Sequence, residues 1–347
     1  MRVLLVGGTS YVASFFIDEC LRRGWNVYTA SHNSVRQRIL SPRNGDVRSM
    51  ISLAEAGSIG SVDAIVNFAY PSDLSAAKVH GATRRVIGQI VETARKLSPK
   101  ILIHLSTQSV FGYAFARIPR PVPVWWATGD GYIETKVLAE VLLLLKTRHS
   151  PYARVILRLG NVIGPGSYWM SEVARLLLME EPVGRGKSNA TYVRNIADYL
   201  AHVVTAEDGA LRAFGVFHHL AELSSLSWAD FAEPVAAAMG LQPSYRSVAL
   251  RPERVSSRGM LTSAFRHLCM FLPDAWQDRV ESSYAAVRRR FSRPDTGREE
   301  LGLHPTLHQT VEFRSHTLPG WSPKFDLQAA LKEIVAWVRR AGYVSVA

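Results

Sequence analysis

Strand-length apolar runs at Val3–Val6, Val27–Ala30, Ala64–Phe68, Ile101–Leu105 and Val155–Leu157 alternate with stretches of helical period such as Ser14–Arg23 and Val86–Lys96. Parallel strands need a crossover between them, usually a helix, so this rhythm predicts a parallel sheet with helices on both faces. Residues 1–165 are therefore expected to form a doubly wound α/β domain. Beyond Pro165 the rhythm gives way to mixed helices and loops punctuated by Pro182, Pro243, Pro252 and Pro273. At 347 residues the chain is longer than the roughly 250–300 at which a single core stops growing. Residues 166–347 are accordingly expected to be mainly a smaller mixed lobe, with segments around 190–220 returning to the first domain.

Composition narrows the class further. With 47% apolar and 20% charged residues, the chain has no biased tract that predicts disorder or a fibre. The longest apolar run beside a helix, Val141–Leu145, is far short of the roughly 20 residues of a membrane span. The start, MRVLLVGG, lacks the features of a signal peptide. Cys20 and Cys269 are the only cysteines, too few for a disulfide framework, which fits a reducing, cytoplasmic location. The net charge of +12 favours anionic partners. Its tightest cluster, Arg288-Arg289-Arg290, reads as a solvated helix face, and no nucleic-acid motif accompanies it. A small-molecule substrate and a homodimer are thus expected, with neither nucleic acid nor membrane as partner. The aromatic and basic segment 251–293 fits an amphipathic helix pair or a binding wall, and core packing is the favoured reading.

The first strand runs into Gly7-Gly8-Thr9-Ser10-Tyr11-Val12-Ala13, with helical period from Ser14. A tight strand-to-helix turn offers unpaired backbone N–H groups and a positive helix end to a pyrophosphate, although ordinary turn chemistry would leave the same trace. After the second strand comes Ser31-His32-Asn33-Ser34-Val35-Arg36, with no carboxylate to hold an adenosine ribose. Ser31, His32 and Arg36 suit a 2′-phosphate instead, so NADP is expected over NAD.

Tyr132-Ile133-Glu134-Thr135-Lys136 places a phenol and an ammonium four residues apart, on one face of a helix. Bringing a phenol from pKa ~10 to about 7 takes roughly 4 kcal/mol of preferential phenolate stabilisation. The Lys136 charge and a positive nicotinamide ring are expected to supply it. Such a pair is common as a plain amphipathic feature. What raises it is Ser106-Thr107-Gln108-Ser109-Val110-Phe111-Gly112, which ends a strand 25 residues upstream, counting from Thr107 to Tyr132.

Together these elements resemble the extended short-chain dehydrogenase/reductase family, of the NAD-dependent epimerase/dehydratase type that modifies nucleotide sugars. Gly7, Ser10 and Ala13 stand at the three glycine positions of its fingerprint, so the resemblance implies a Rossmann-like domain and a substrate lobe. It also implies that Gly7, Thr9, Ser10, Tyr11 and Val12 cradle the cofactor, with the Ser10 hydroxyl on a phosphate. Gly45-Asp46-Val47 matches the element whose Asp accepts from the adenine amino group; a turn residue is the plainer reading of Asp46. Asn67-Phe68-Ala69-Tyr70 matches the segment that passes beside the cofactor. Thr107, Tyr132 and Lys136 are then the catalytic residues, with Lys136 also on the nicotinamide ribose and Gln108 and Ser109 beside the substrate.

The resemblance continues through Arg158-Leu159-Gly160-Asn161-Val162-Ile163-Gly164-Pro165-Gly166, where Asn161 takes a substrate contact. Tyr192–Ala197 and Leu318-Pro319-Gly320-Trp321-Ser322-Pro323 match later elements, and the match is weak between about 225 and 295. No metal site is expected. Gln108 and Ser109 replace the Asp-Glu pair with which 4,6-dehydratases of this type move protons, so that reaction is disfavoured. The leading reading is oxidation, reduction or epimerisation at a carbinol carbon of a nucleotide-linked sugar. A ketoreductase of an apolar, steroid- or flavonoid-like substrate is an alternative, for which Trp125-Trp126 would line a site. A catalytically silent NADP-binding regulator is another.

Overall fold

The computed structural model describes residues 1–31, 47–50, 53–71, 74–75, 78–111, 130–246, 257–273, 276–277, 280 and 305–343. Its centre is one parallel sheet of seven strands: β1 (Arg2–Val6), β2 (Asn26–Ala30), β3 (Val47–Met50), β4 (Ala64–Asn67), β5 (Ile101–Thr107), β6 (Ala153–Leu159) and β7 (Phe217–Leu220). They lie in the order β7-β6-β5-β4-β1-β2-β3, every pair parallel. The chain winds outward from β1 through β2 to β3, then crosses to β4 on the other side of β1. This reversal opens a crevice at the carboxyl ends of β1 and β4, where doubly wound folds bind ligands.

β4 and β5 are buried at every position, which is why both read as mostly apolar runs, with His104 inside β5, rather than alternating patterns. Helix α1 (Tyr11–Arg22) packs on one face together with α5 (Val193–Thr205), sharing a core that includes Phe16, Ile17, Tyr199 and Leu200. The other face carries α2 (Val79–Leu97) and α3 (Gly131–Thr147), with Ile87, Ile90, Ala139 and Leu143 against the sheet. A separate core joins α4 (Tyr168–Leu178), α7 (Ala229–Met239) and α9 (Leu327–Arg340) through Met170, Val173, Phe231, Val235 and Ile334. Between α5 and α7, helix α6 (Asp208–Phe214) leads into β7.

Three local expectations change. Helix α1 begins at Tyr11, not Ser14, because Ser10 is its N-cap and the Ser10 hydroxyl accepts from the Ala13 amide at 3.3 Å. With φ of −74° Ser10 needs no glycine. Ser10→Ala is expected to destabilise the protein by about 1 kcal/mol through loss of this cap, read as a lower urea midpoint at unchanged slope. Helix α2 starts at Val79, seven residues before the periodic stretch, because its first turns bury His80, Gly81 and Thr83 rather than large apolar residues.

Helix α8 (Ser257–Cys269) packs on α2 through a mixed face: it buries Ser263, Arg266 and Cys269 and leaves Leu268 70% exposed, with Phe271 just beyond it at 68%. Core packing therefore accounts for only part of this segment. Residues 251–256 and 281–293, with Arg288-Arg289-Arg290, lie outside the described residues, as do Gly112, Trp125 and Trp126. Among the described residues no helix is long and apolar enough to cross a membrane.

Candidate active site

The turn after β1 is wedged between the ends of β2 and β4. Gly7 has a φ of +77°, and a Cβ there would stand 2.8 Å from the Ala69 nitrogen. One on Gly8 would stand 2.7 Å from Thr29 Cγ2. Only glycine meets both demands at Gly7. The turn leaves the first-turn amides of Tyr11 and Val12 without intrahelical acceptors, facing the crevice end of the sheet.

The expected cofactor residues fall around this turn. Thr9 Oγ1 and Ser31 Oγ are 3.1 Å apart, tying the first turn to the end of β2. The Tyr11 phenol donates to the Pro165 carbonyl at 3.2 Å while its ring meets Phe15. Its side chain thus links α1 to the segment before α4. Val12 packs on the core shared by α1 and α5, Phe68 is buried near Phe16, and half-buried Val47 opens β3. The Ser10 hydroxyl, expected on a phosphate, is engaged in capping. His32, Arg36 and Asp46 lie outside the described residues.

The end of β4 is held rigidly. Asn67 Oδ1 accepts from the Ala69 amide at 2.9 Å, which turns its Nδ2 toward His104 Nδ1 at 2.8 Å. Tyr70 follows, and its ring meets the Tyr132 ring edge-on at 5.2 Å between centroids.

Tyr132 sits in the first turn of α3, which Asp130 caps by accepting from the amides of Tyr132 (2.8 Å) and Ile133 (3.2 Å). One turn on, Lys136 Nζ lies 5.8 Å from the centre of the Tyr132 ring and 5.2 Å from that of Tyr70, and donates to the Leu105 carbonyl at 3.2 Å. Thr107 closes β5, and its hydroxyl engages Ser109 through both amide and side chain at 3.1 Å. It also acts on the Tyr132 phenol, in the direction that favours the phenolate. Thr107, Ser109, Tyr132, Lys136 and Tyr70 therefore converge beside the crevice.

The electrostatics depart from expectation. Burial raises the Tyr132 pKa above 10, the Thr107 hydrogen bond opposes this, and the Asp130 charge adds to it. Tyr132 as a residue is 38% exposed, while burial dominates at its phenol. Burial pushes Lys136 down to about 8, against the pull of Glu140. Tyr70 is pushed up to about 12 by burial, aided by Tyr132 and Asp130 and opposed by Arg266.

Behind these residues is a charged network that sequence reasoning missed. Arg158 on β6 grips Glu140 on α3 with two hydrogen bonds of 3.0 and 2.6 Å, and Ser106 donates to the same carboxylate. Both ionic side chains are 2% exposed, and Arg158 stacks between Phe217 (4.1 Å) and Phe111 (5.0 Å). Arg266 of α8 reaches Glu134 on α3 at 2.8 Å. A carboxylate inside the apolar run of α3 was the available signal, since such a group needs a buried partner.

The substrate expectations divide. Gln108 is 3% exposed with neither amide atom paired among the described residues, and Ser109 is bound to Thr107. Asn161 opens a short strand, Asn161–Ile163, that pairs with Ala190–Tyr192, and its side-chain nitrogen donates to the Ser188 carbonyl at 2.5 Å. Among the described residues no cluster of metal-ligating side chains forms.

The glycine turn, Thr107, Tyr132 and Lys136 all fall within residues 3–209, which match the model of the NAD dependent epimerase/dehydratase family. The chain belongs to that family. It is an NAD-dependent enzyme of the short-chain dehydrogenase/reductase type, built on a doubly wound sheet. Solved structures of the family's fold superpose over nearly the full length. UDP-glucose 4-epimerase of Thermotoga maritima, solved with UDP-glucose, is 15% identical with a TM-score of 0.64, covering 98% of this chain and 99% of its own. UDP-glucuronic acid 4-epimerase of Bacillus cereus, solved with UDP-glucuronic acid and NAD, is 14% identical with a TM-score of 0.64, at 98% and 100% coverage. The Bordetella bronchiseptica enzyme WbmG, solved with NAD and UDP, is 15% identical with a TM-score of 0.64, at 100% and 97% coverage. At these identities the likeness is one of fold. A search of curated proteins finds no match.

Proposed function

We propose that this enzyme acts at a carbinol carbon of a nucleotide-linked sugar, as an epimerase or oxidoreductase, with Tyr132 as its acid/base. The observation that carries this is the convergence of Thr107, Tyr132 and Lys136 beside a turn that admits no Cβ at Gly7. The residues present fit a nicotinamide dinucleotide. The turn is compact, the first-turn amides of α1 are unpaired donors, and Lys136 keeps N–H donors beyond its one bond to Leu105. Gly7, Thr9, Tyr11 and Val12 would hold its phosphates, Ser31 its ribose end, and Lys136 its nicotinamide ribose. Bound there, it supplies the hydride acceptor and donor, and its positive ring favours the phenolate.

Tyr132 takes the carbinol proton when the carbon is oxidised and returns it on reduction. Thr107 donates a hydrogen bond to the reacting oxygen. Lys136, whose pKa of about 8 keeps it mostly charged at neutral pH, adds positive charge near that oxygen. Gln108, Ser109 and Asn161 read the sugar. The nucleotide is supported by the UDP and UDP-sugars in the structures of similar fold. Removing the nucleotide from the substrate is expected to abolish useful turnover; equal processing of free sugars or apolar ketones would replace this reading with ketone reduction.

NADP is proposed over NAD, because β2 ends at Ala30 and Ser31-His32-Asn33 follow without a carboxylate. Fluorescence titration is expected to show tighter NADP binding, lost selectively in Arg36→Ala. The similar structures hold NAD, and a clear NAD preference here would overturn the NADP assignment.

A further inference from the structure

The far end of the catalytic helix carries a second concave site. The last turns of α2 and α3 and the loop into β6 enclose a cleft of about 500 Å³, within the range of small-molecule pockets. Arg95, Lys146, Arg148 and His149 line it, all exposed, with no carboxylate among the lining residues. Tyr152 also lines it, is 5% exposed, and has a hydroxyl with no hydrogen-bond partner among the described residues. Glu92 lies against Arg95 (3.8 Å) and Lys96 (3.6 Å), whereas Lys146 and Arg148 have no ion-pair partner among the described residues.

Cations at a helix C-terminus ordinarily answer its partial negative charge, about half an elementary charge per helix. The α2 end carries Arg95 and Lys96 with Glu92 against both, and the α3 end adds Lys146 and Arg148, so cations outnumber the negative charge there. Arg95 is partly committed to that task through the Lys146 carbonyl at 3.4 Å, so the excess rests on Lys146 and Arg148. Guanidinium and ammonium donors around a concave wall match the acceptor oxygens of a phosphate, and Tyr152, whose unpaired hydroxyl is buried, lines the same cleft.

We propose that this cleft binds a small phosphorylated ligand at a site separate from the dinucleotide turn. The helix rise puts Lys146 about 20 Å along α3 from Tyr132, so no ligand atom there takes part in the chemistry. Calorimetric titration of the full-length protein with inorganic pyrophosphate at low salt, in the presence of saturating NADP, tests it. Submillimolar binding is expected, weakened at least tenfold in the double variant Lys146→Ala/Arg148→Ala and several-fold in Tyr152→Phe. NADP affinity is expected to stay unchanged in both variants. The substituted cations are exposed, so folding should survive; the single variant Arg148→Gln carries the test if the double variant does not fold. Wild-type affinity in the variants would place pyrophosphate elsewhere and overturn the proposal. So would absence of binding to the wild type, or a dimer by light scattering that binds no pyrophosphate because a second copy closes the cleft.

Discussion

Tyr132→Phe is expected to fold and bind cofactor as the wild type does, while turnover falls by a factor of about 10² or more. The substitution keeps the ring against Tyr70 and removes only the oxygen proposed to exchange the proton. Thr107→Val, nearly isosteric, should also lose turnover at little change in cofactor affinity, because the role proposed for its hydroxyl is toward the reacting oxygen and the Tyr132 phenol. Lys136→Met should differ by weakening cofactor binding as well.

pH profiles separate these roles. In the oxidation direction the rate is expected to rise through an apparent pKa below 10, set by Tyr132 with the nicotinamide charge beside it, and Tyr132→Phe should lack that limb. Lys136 carries its charge below about 8 and loses it as pH rises through that value. Cofactor affinity should therefore decline through about pH 8 in the wild type and not in Lys136→Met. Near-normal activity of Tyr132→Phe, with the same pH profile, would show that another residue moves the proton.

Arg158→Met is expected to destabilise the fold by about 3–5 kcal/mol, since it strands the Glu140 carboxylate without a cation in a site where both groups are 2% exposed. Glu140→Gln should cost a comparable amount by stranding Arg158 between Phe111 and Phe217. The double variant Glu140→Leu/Arg158→Met should recover much of the loss, because a buried ion pair gives little net stability over an apolar pair of similar volume. Urea unfolding of the two single variants and the double variant measures this cycle; single losses under 1 kcal/mol would mean that the pair is hydrated in solution. The pair also reaches the active site. The Glu140 charge raises the Lys136 pKa, so Glu140→Gln should move the decline in cofactor affinity to a pH below about 8.

The doubly wound sheet was legible in the amino-acid sequence because burial on both faces leaves strands such as Ala64–Asn67 and Ile101–Thr107 mostly apolar, with Asn67, Ser106 and Thr107 gathered at the carboxyl ends and His104 alone inside. The edge strands Val47–Met50 and Phe217–Leu220 were not. Their Arg48, His218 and His219 break the apolar run, and they are strands because a neighbour in the sheet offers its backbone. The spacing of Tyr132 and Lys136 was local information, fixed by the pitch of one helix. The Gly7 turn was legible too, although its demand for glycine comes partly from the Ala69 backbone that folding brings against it.

What charge each group carries was decided by tertiary structure, because desolvation depends on everything packed around a group rather than on its neighbours in sequence. Lys136 was expected to lower the Tyr132 pKa; instead burial raises Tyr132 and lowers Lys136. The hold of Arg158 on Glu140 and of Arg266 on Glu134 was likewise settled by folding, since the partners lie 18 and 132 residues apart. No local pattern encodes such a pairing. It exists because β6 and α8 bring a guanidinium to carboxylates on α3 that burial would otherwise make too costly to keep charged.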